Sequence, residues 1–153
     1  MTRQQTLHEI NTSLSLRPPQ AESLQKLATA LETAPAMNQT GERDLNGILA
    51  SLQAQFPTLE DFEREFPSLC FALATGVGKT RLMGAFITYL HQAYGINNFF
   101  VLAPNLTIYN KLIADFTPNT PKYVFKGIHH FVFQPPEIIT GENYDYRAAQ
   151  VQS

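Results

Sequence analysis

Apolar residues recur at helical spacing in the first third of the chain. The apolar positions of the first clear stripe are Leu24, Leu27 and Leu31. They fall at i, i+3 and i+7, the pattern of a helix with one buried face. Pro18 and Pro19 can open this helix and Pro35 can close it, because proline suits a first turn and disfavours helix in the residue before it.

A second apolar stripe follows a polar loop at residues 36–41. Its members are Leu45, Ile48, Leu49, Leu52 and Phe56. Their spacing predicts another amphipathic helix, which Pro57 ends. Thr58 with Asp61 three residues later resembles a capping box, and predicts a short helix through Glu65.

The pattern changes from Pro67 onward. Residues 69–74 form a continuous apolar run, typical of a strand buried on both faces of a parallel sheet. Residues 79–94 predict an amphipathic helix that Gly95 ends, and residues 99–103 predict a second all-apolar strand. Strand, helix and strand over this length indicate a βαβ unit.

Another amphipathic helix is expected behind Asn105, and residues 122–128 and 130–133 are read as short strands. The predicted fold class is therefore α/β, a parallel sheet with flanking helices, preceded by a helical segment. The expected division places the helical segment at residues 1–66 and the α/β domain at residues 67–153.

Composition limits the functional classes. The 153 residues carry a formal net charge of −2, which gives no support for nucleic-acid binding by this chain alone. The single cysteine, Cys70, forms no internal disulfide and suits a reducing compartment. No stretch approaches the roughly 20 apolar residues of a membrane span, so we expect no membrane partner and a cytoplasmic location.

The main candidate site is the glycine-rich run Ala74-Thr75-Gly76-Val77-Gly78-Lys79-Thr80. It fits the end of the phosphate-loop pattern G-x-x-x-x-G-K-[ST], although Leu73 replaces the first glycine. Glycines let backbone N–H groups approach phosphate oxygens, and a helix that starts directly behind them favours an anion. The predicted ligands are ATP and Mg²⁺.

Each part of this loop has an expected role. Lys79, the candidate catalytic residue, would hold the β- and γ-phosphates, and the Thr80 hydroxyl would ligate Mg²⁺. The predicted nucleotide-binding residues around them are Thr75, Gly76, Val77, Gly78, Lys79, Thr80 and Arg81. The alternative is an ordinary glycine turn, but a buried strand before it and a long helix after it favour the phosphate site.

The form A-T-G-x-G-K-T resembles motif I of superfamily 2 helicases and translocases. Leu16-Arg17-Pro18-Pro19-Gln20 resembles the L-R-P-x-Q element that precedes motif I in many of these motors. Leu102-Ala103-Pro104-Asn105-Leu106-Thr107 stands where motif Ia belongs. The sequence around motif I and the Asn105 loop is most similar to the restriction subunit of type III restriction–modification systems. The similarity extends from Leu16 to about Tyr144.

The resemblance implies roles for three further residues. Gln20 would read adenine, since a carboxamide can match both the N6 amino group and N7. Its alternative role is that of a helix-start residue after two prolines. Asn105 and Thr107 would contact the phosphate backbone of a nucleic acid, and for Asn105 the role of helix N-cap carries similar weight.

The resemblance also implies partners. These are double-stranded DNA, bound through the complete parent protein, the remaining helicase lobes, and a modification (methyltransferase) subunit. The resemblance implies that residues 67–153 are a partial RecA-like phosphate-loop domain, the incomplete first ATP-binding domain of such a motor. On this interpretation the chain is the N-terminal ATP-binding part of a DNA translocase, within an enzyme that hydrolyses ATP and cleaves DNA.

Hydrolysis in these motors needs an acidic pair at the end of an apolar strand, and this sequence contains no Asp-Glu pair. The acids after the loop are Asp115, Glu137, Glu142 and Asp145, and none of them ends an apolar run. We therefore expect the chain alone to hydrolyse no ATP and to cleave no DNA. The alternatives are a truncated non-catalytic remnant of such a gene and a small phosphate-loop NTPase of another class.

His129 and His130 are the only adjacent histidines. On the predicted strand they would point to opposite faces, and the sequence shows no cysteine or histidine close to them. No metal site is therefore expected at this pair.

Overall fold

The computed structural model describes residues 1–147, which form helices and turns without a strand. The α-helices are α1 (Arg3–Ser13), α2 (Pro18–Thr33), α3 (Leu45–Gln55), α4 (Lys79–Tyr94), α5 (Leu106–Phe116), α6 (His129–Phe133) and α7 (Tyr144–Arg147), with a 3₁₀ helix at Pro35–Asn38. Within the described range, no helix is long and apolar enough to cross a membrane. Residues 148–153 of the predicted ATP-binding domain lie outside that range.

The chain divides into two compact units. Unit 1 combines Met1–Leu16 with the chain from Gly78 onward, and unit 2 is Arg17–Val77. The division by function into residues 1–66 and 67–153 stays a prediction.

Unit 2 is built on α2 and α3. Both helices were predicted from their apolar stripes and are confirmed: α2 opens with Pro18 and stops before Pro35. Asp44 caps α3, since its Oδ1 accepts a hydrogen bond from Gly47 N at 3.0 Å. One buried apolar cluster of the unit consists of Ala30, Ala34, Ile48, Leu52 and Phe62.

The short helix predicted from Thr58 to Glu65 is wrong. The chain there turns at residues 57–58 and bends at residues 63–66. Phe62 is buried in the core of unit 2, and Glu63 has a φ of 52°. A left-handed residue next to a buried anchor does not fit a right-handed helix, so packing overrides the local capping pattern.

Unit 1 is organised around α4, which packs against α1. The helix predicted at residues 79–94 is confirmed, and it ends at Gly95, whose φ of 66° lies in the left-handed region. Thr2 starts α1 with a capping box in which its Oγ1 and the Gln5 side chain bond each other's backbone N–H. The buried apolar residues of the two helices include Leu7, Ile10, Leu82, Ala85 and Tyr89.

An aromatic cluster fills the remainder of unit 1. The ring centroids of Phe125 lie 4.6 Å from Phe131 and 5.4 Å from Phe116. Tyr123 donates from its hydroxyl to the Phe131 carbonyl oxygen at 2.8 Å, and burial raises the pKa of this phenol. These contacts attach α6 to the end of α5.

The short strands predicted at residues 122–128 and 130–133 are wrong. Residues 121–127 consist mainly of turns, and residues 129–133 are α6. The bonds from Lys126 N to Tyr123 O and from Ile128 N to Phe125 O are local. The run is apolar because its aromatic rings are buried. Turns can bury these rings as well as a strand can.

The predicted α/β fold class, a parallel RecA-like sheet, is contradicted, because residues 1–147 contain no strand. The two apolar runs belong to different units, residues 69–74 to unit 2 and residues 99–103 to unit 1. Phe100 is 89% exposed and Leu102 is 78% exposed, so the second run is not buried on either face. Apolar composition indicates which residues gain from burial, but a strand also needs a neighbour for its N–H and C=O groups.

Replacing Gly127 should expose how closely the chain packs in unit 1. A Cβ at this position would lie 1.9 Å from the Ser13 carbonyl oxygen, and a backbone atom cannot move as easily as a flexible side chain. We expect Gly127→Ala to lower the free energy of unfolding by about 1–3 kcal/mol in urea denaturation.

The matched control is Gly141→Ala, where a Cβ meets nothing within 4 Å. Its effect should stay within about 0.5 kcal/mol. Equal unfolding midpoints for the two variants would show that the contact between Gly127 and Ser13 is not formed in solution.

Candidate nucleotide site

The phosphate loop has the backbone that its glycines predict. Residues 75–77 form a turn and bend, with Gly76 at a φ of 78°. Gly78 is the N-cap of α4, with φ 81° and ψ 56°. Residues that carry a Cβ rarely adopt these left-handed backbone angles, so both positions favour glycine. The predicted helix behind the loop is confirmed, and the predicted strand before it is wrong.

On the unit 1 side, the loop residues are the first turn of α4. Lys79 and Arg81 are exposed and Thr80 is partly buried. The first N–H groups of a helix have no acceptor within it, and α4 has no side-chain cap at this end. Its 16 residues also direct the positive end of the helix dipole to this point. Backbone donors, dipole and lysine therefore meet where an anion could bind.

Lys79 has an exposed ammonium group without a salt bridge to any carboxylate in residues 1–147. Three cations elsewhere in residues 1–147 form salt bridges: Lys26 with Glu22, Lys111 with Asp115 and Arg147 with Glu137. An unpaired cation at a helix N-terminus is available for an anionic ligand.

Within unit 2, Arg17 joins the element before α2 to the phosphate loop. Its Nη1 donates to the Gly76 carbonyl oxygen at 3.2 Å, across 59 positions of sequence. The sequence interpretation named Arg17 only as part of the L-R-P-x-Q pattern and gave it no role. The contact holds the Gly76 carbonyl beside the start of α2. The sequence alone does not indicate it, because the two residues are distant along the chain.

Gln20 is 2% exposed and belongs to the start of α2. Its Oε1 accepts a hydrogen bond from Arg17 N at 2.8 Å, which is half of a capping box. Gln20 therefore has the helix-start role, one of the two alternatives that the sequence left open. Its adenine-reading role stays a prediction.

Asn105 and Thr107 stand at the start of α5. Asn105 is the N-cap, and its Oδ1 accepts from Ile108 N at 3.0 Å. Thr107 is exposed in the first turn of the same helix. The N-cap role is thus confirmed, while the contact of both residues with nucleic acid stays a prediction.

Two of the four acidic residues that follow the loop form salt bridges with basic side chains. Asp115 is buried, and its Oδ2 lies 2.5 Å from Lys111 Nζ, one turn earlier on α5. Glu137 pairs with Arg147, and Glu142 and Asp145 are exposed. Residues 1–147 contain no group of three or more histidine, cysteine or acidic side chains that could hold a metal ion.

Comparison with known proteins gives one match. A family model described as type III restriction enzyme, res subunit, matches residues 13–151, which is most of the chain. No curated protein and no solved structure matches. The resemblance noted from motif I and its flanking elements is therefore confirmed.

Asn105→Ala should destabilise unit 1 by removing the cap of α5. We expect a loss of about 0.5–2 kcal/mol in urea unfolding followed by circular dichroism, since the Ile108 N–H then lacks its acceptor. Asn105→Ser is the control, because a serine hydroxyl can accept the same bond and should keep most of the stability. Unfolding of the alanine variant at the wild-type urea concentration would argue against the cap.

Proposed function

Because the chain belongs to the res-subunit family of type III restriction enzymes, we propose that it is the ATP-binding part of a helicase-like DNA translocase. The observation that carries this proposal is the start of α4, where unpaired Lys79 follows two left-handed glycines. ATP and Mg²⁺ are the proposed ligands.

The phosphate groups of ATP would bind at the first turn of α4. The backbone N–H groups of this turn have no intrahelical acceptor, and the helix dipole favours the negative charge there. Lys79 would neutralise the β- and γ-phosphates as a point charge. These interactions depend on the local backbone of Gly78 and the residues behind it, so they do not require the sheet that the sequence predicted.

Magnesium would bind between the phosphates and the Thr80 hydroxyl. Mg²⁺ prefers oxygen ligands and usually keeps several waters, so one hydroxyl and the phosphate oxygens suit it. Thr75, Gly76, Val77 and Arg81 would complete the nucleotide site through their backbone groups or charge. Support for this part comes from the residue types and from the family.

Gln20 would contact the adenine. Its Oε1 bonds Arg17 N, so reading a base would require an exchange of partners at the start of α2. Arg17 already contacts the carbonyl of loop residue Gly76. The same short element therefore touches the phosphate loop and carries the proposed adenine-reading side chain.

DNA and protein partners follow from the family rather than from a site on this chain. The net charge of −2 does not favour DNA binding by this chain alone. We propose that Asn105 and Thr107 contact the backbone of double-stranded DNA only within the assembled parent enzyme. The other proposed partners are the remaining helicase lobes and the modification subunit.

We propose that these residues bind ATP without hydrolysing it. Activation of water needs a carboxylate beside the Mg²⁺ and the γ-phosphate. Asp115 is buried against Lys111 and Glu137 is paired with Arg147, so neither is a free base. A remnant that has also lost ATP binding is the second candidate, favoured by the absence of the predicted sheet in residues 1–147.

Lys79→Ala should weaken ATP binding by roughly 10- to 100-fold, the loss expected for a hydrogen bond to a charged group. Titration with a fluorescent ATP analogue in Mg²⁺ measures this. Lys126→Ala is the matched control, because Lys126 is also exposed but lies in a turn of unit 1 that is part of neither the loop nor α4. The wild-type chain should release no inorganic phosphate under the same conditions.

The outcomes separate the two candidates. Loss of binding in Lys79→Ala alone supports the phosphate site, whereas equal binding by all three proteins refutes it. No binding by the wild-type chain would favour the remnant. Phosphate release that depends on Lys79 would show that the chain completes hydrolysis and that one of its own residues activates the water.

A further inference from the structure

Two histidines that are distant in sequence meet in unit 1. His91 lies in the last turn of α4 and His130 in α6, 39 positions later. Their Nε2 atoms are 3.3 Å apart, and the two rings stack with centroids 5.2 Å apart. The sequence directed attention to the adjacent pair His129 and His130, yet the partner of His130 comes from another helix.

The hydrogen-bond partner of His91 fixes where its proton lies. Its Nδ1 is 3.1 Å from the Ile96 carbonyl oxygen, which can only accept a hydrogen bond. Nδ1 therefore carries the hydrogen, and the neutral ring presents a lone pair on Nε2. Histidines that bind metals show this arrangement, with the second nitrogen bonded to a carbonyl or carboxylate.

The separation of the two Nε2 atoms suits a shared metal ion. Zinc binds histidine nitrogen at about 2.0–2.1 Å in tetrahedral geometry, so two such nitrogens lie about 3.3–3.4 Å apart. The separation observed here is 3.3 Å. Two nitrogens joined only by a hydrogen bond need just one lone pair, whereas zinc takes a lone pair from each.

We propose that His91 and His130 form a Zn²⁺ site, with water in the remaining coordination positions. In the metal-free pair His130 donates from Nε2 to the lone pair of His91. Zinc binding requires the neutral His130 to carry its hydrogen on Nδ1 instead, so no proton is lost from the neutral pair. His130 is exposed, so its ring can turn toward an ion that His91 also binds.

The surroundings of the pair limit its movement on one side. The Phe131 ring lies 5.2 Å from His91 and 5.3 Å from His130, centroid to centroid, and Phe131 is itself buried. Phe131 thus orients both imidazoles without competing for the ion. Bound zinc would tie the end of α4 to the five-residue helix α6, which is too short to be stable by itself.

Calorimetric titration of the metal-free protein with ZnCl₂ tests the site. We expect one Zn²⁺ per chain, and an affinity lowered by a factor of about ten or more in His91→Asn and in His130→Asn. Asparagine at position 91 can still donate to the Ile96 carbonyl, so the variant removes the ligand and keeps the structural bond. The controls His129→Asn and His8→Asn should bind like the wild type.

Thermal unfolding provides the second measurement. ZnCl₂ should raise the unfolding temperature of the wild type and of both controls, but not of the two pair variants. The proposal is overturned if the wild type binds no zinc, or if His129→Asn lowers the affinity as much as His130→Asn. It does not depend on the proposed ATP site, since His91 lies at the opposite end of α4 from Lys79.

Discussion

The burial of one face of α4 against α1 is the constraint on which the rest of unit 1 depends. This face includes Leu82, Ala85 and Tyr89, and it fixes the rotation of the helix about its axis. Tyr89 is 1% exposed, and desolvation raises the pKa of its phenol to about 12, so it stays neutral over the physiological range. With the helix so held, its two ends present Lys79 and His91 in defined positions.

The glycines at the two ends of α4 change the direction of the backbone. Gly78 and Gly95 both take left-handed angles, the first to turn the loop into the helix and the second to end it. Gly84 has another use, because a Cβ there would meet the Val124 side chain at 2.6 Å. Glycines therefore determine where α4 begins and ends and how closely Val124 packs against it.

The helices could be predicted from the sequence because their signals are local. Proline at positions 18 and 35, glycine at position 95 and the cap at Asn105 act within one or two turns of the chain. The predicted strands do not form in residues 1–147, because a strand needs hydrogen-bonding neighbours that apolar composition does not specify. The short helix after Thr58 failed for a similar reason, since the burial of Phe62 determines that stretch.

The candidate site was predictable where residue type fixes backbone shape, as at Gly76 and Gly78. It was ambiguous where one side chain suits two tasks, and Gln20 and Asn105 both cap helices in the structure. Contacts between distant positions, such as Arg17 with Gly76 and His91 with His130, leave no mark in the local sequence. They required the folded chain.

The exposed run at residues 99–102 has a thermodynamic consequence. Phe100 and Leu102 already face water in the native state. The heat capacity of a protein rises on unfolding in proportion to the apolar area newly exposed to water, and these side chains add almost nothing to that area. The heat-capacity increment of this chain should therefore fall below the average for its length, and its stability should vary less steeply with temperature.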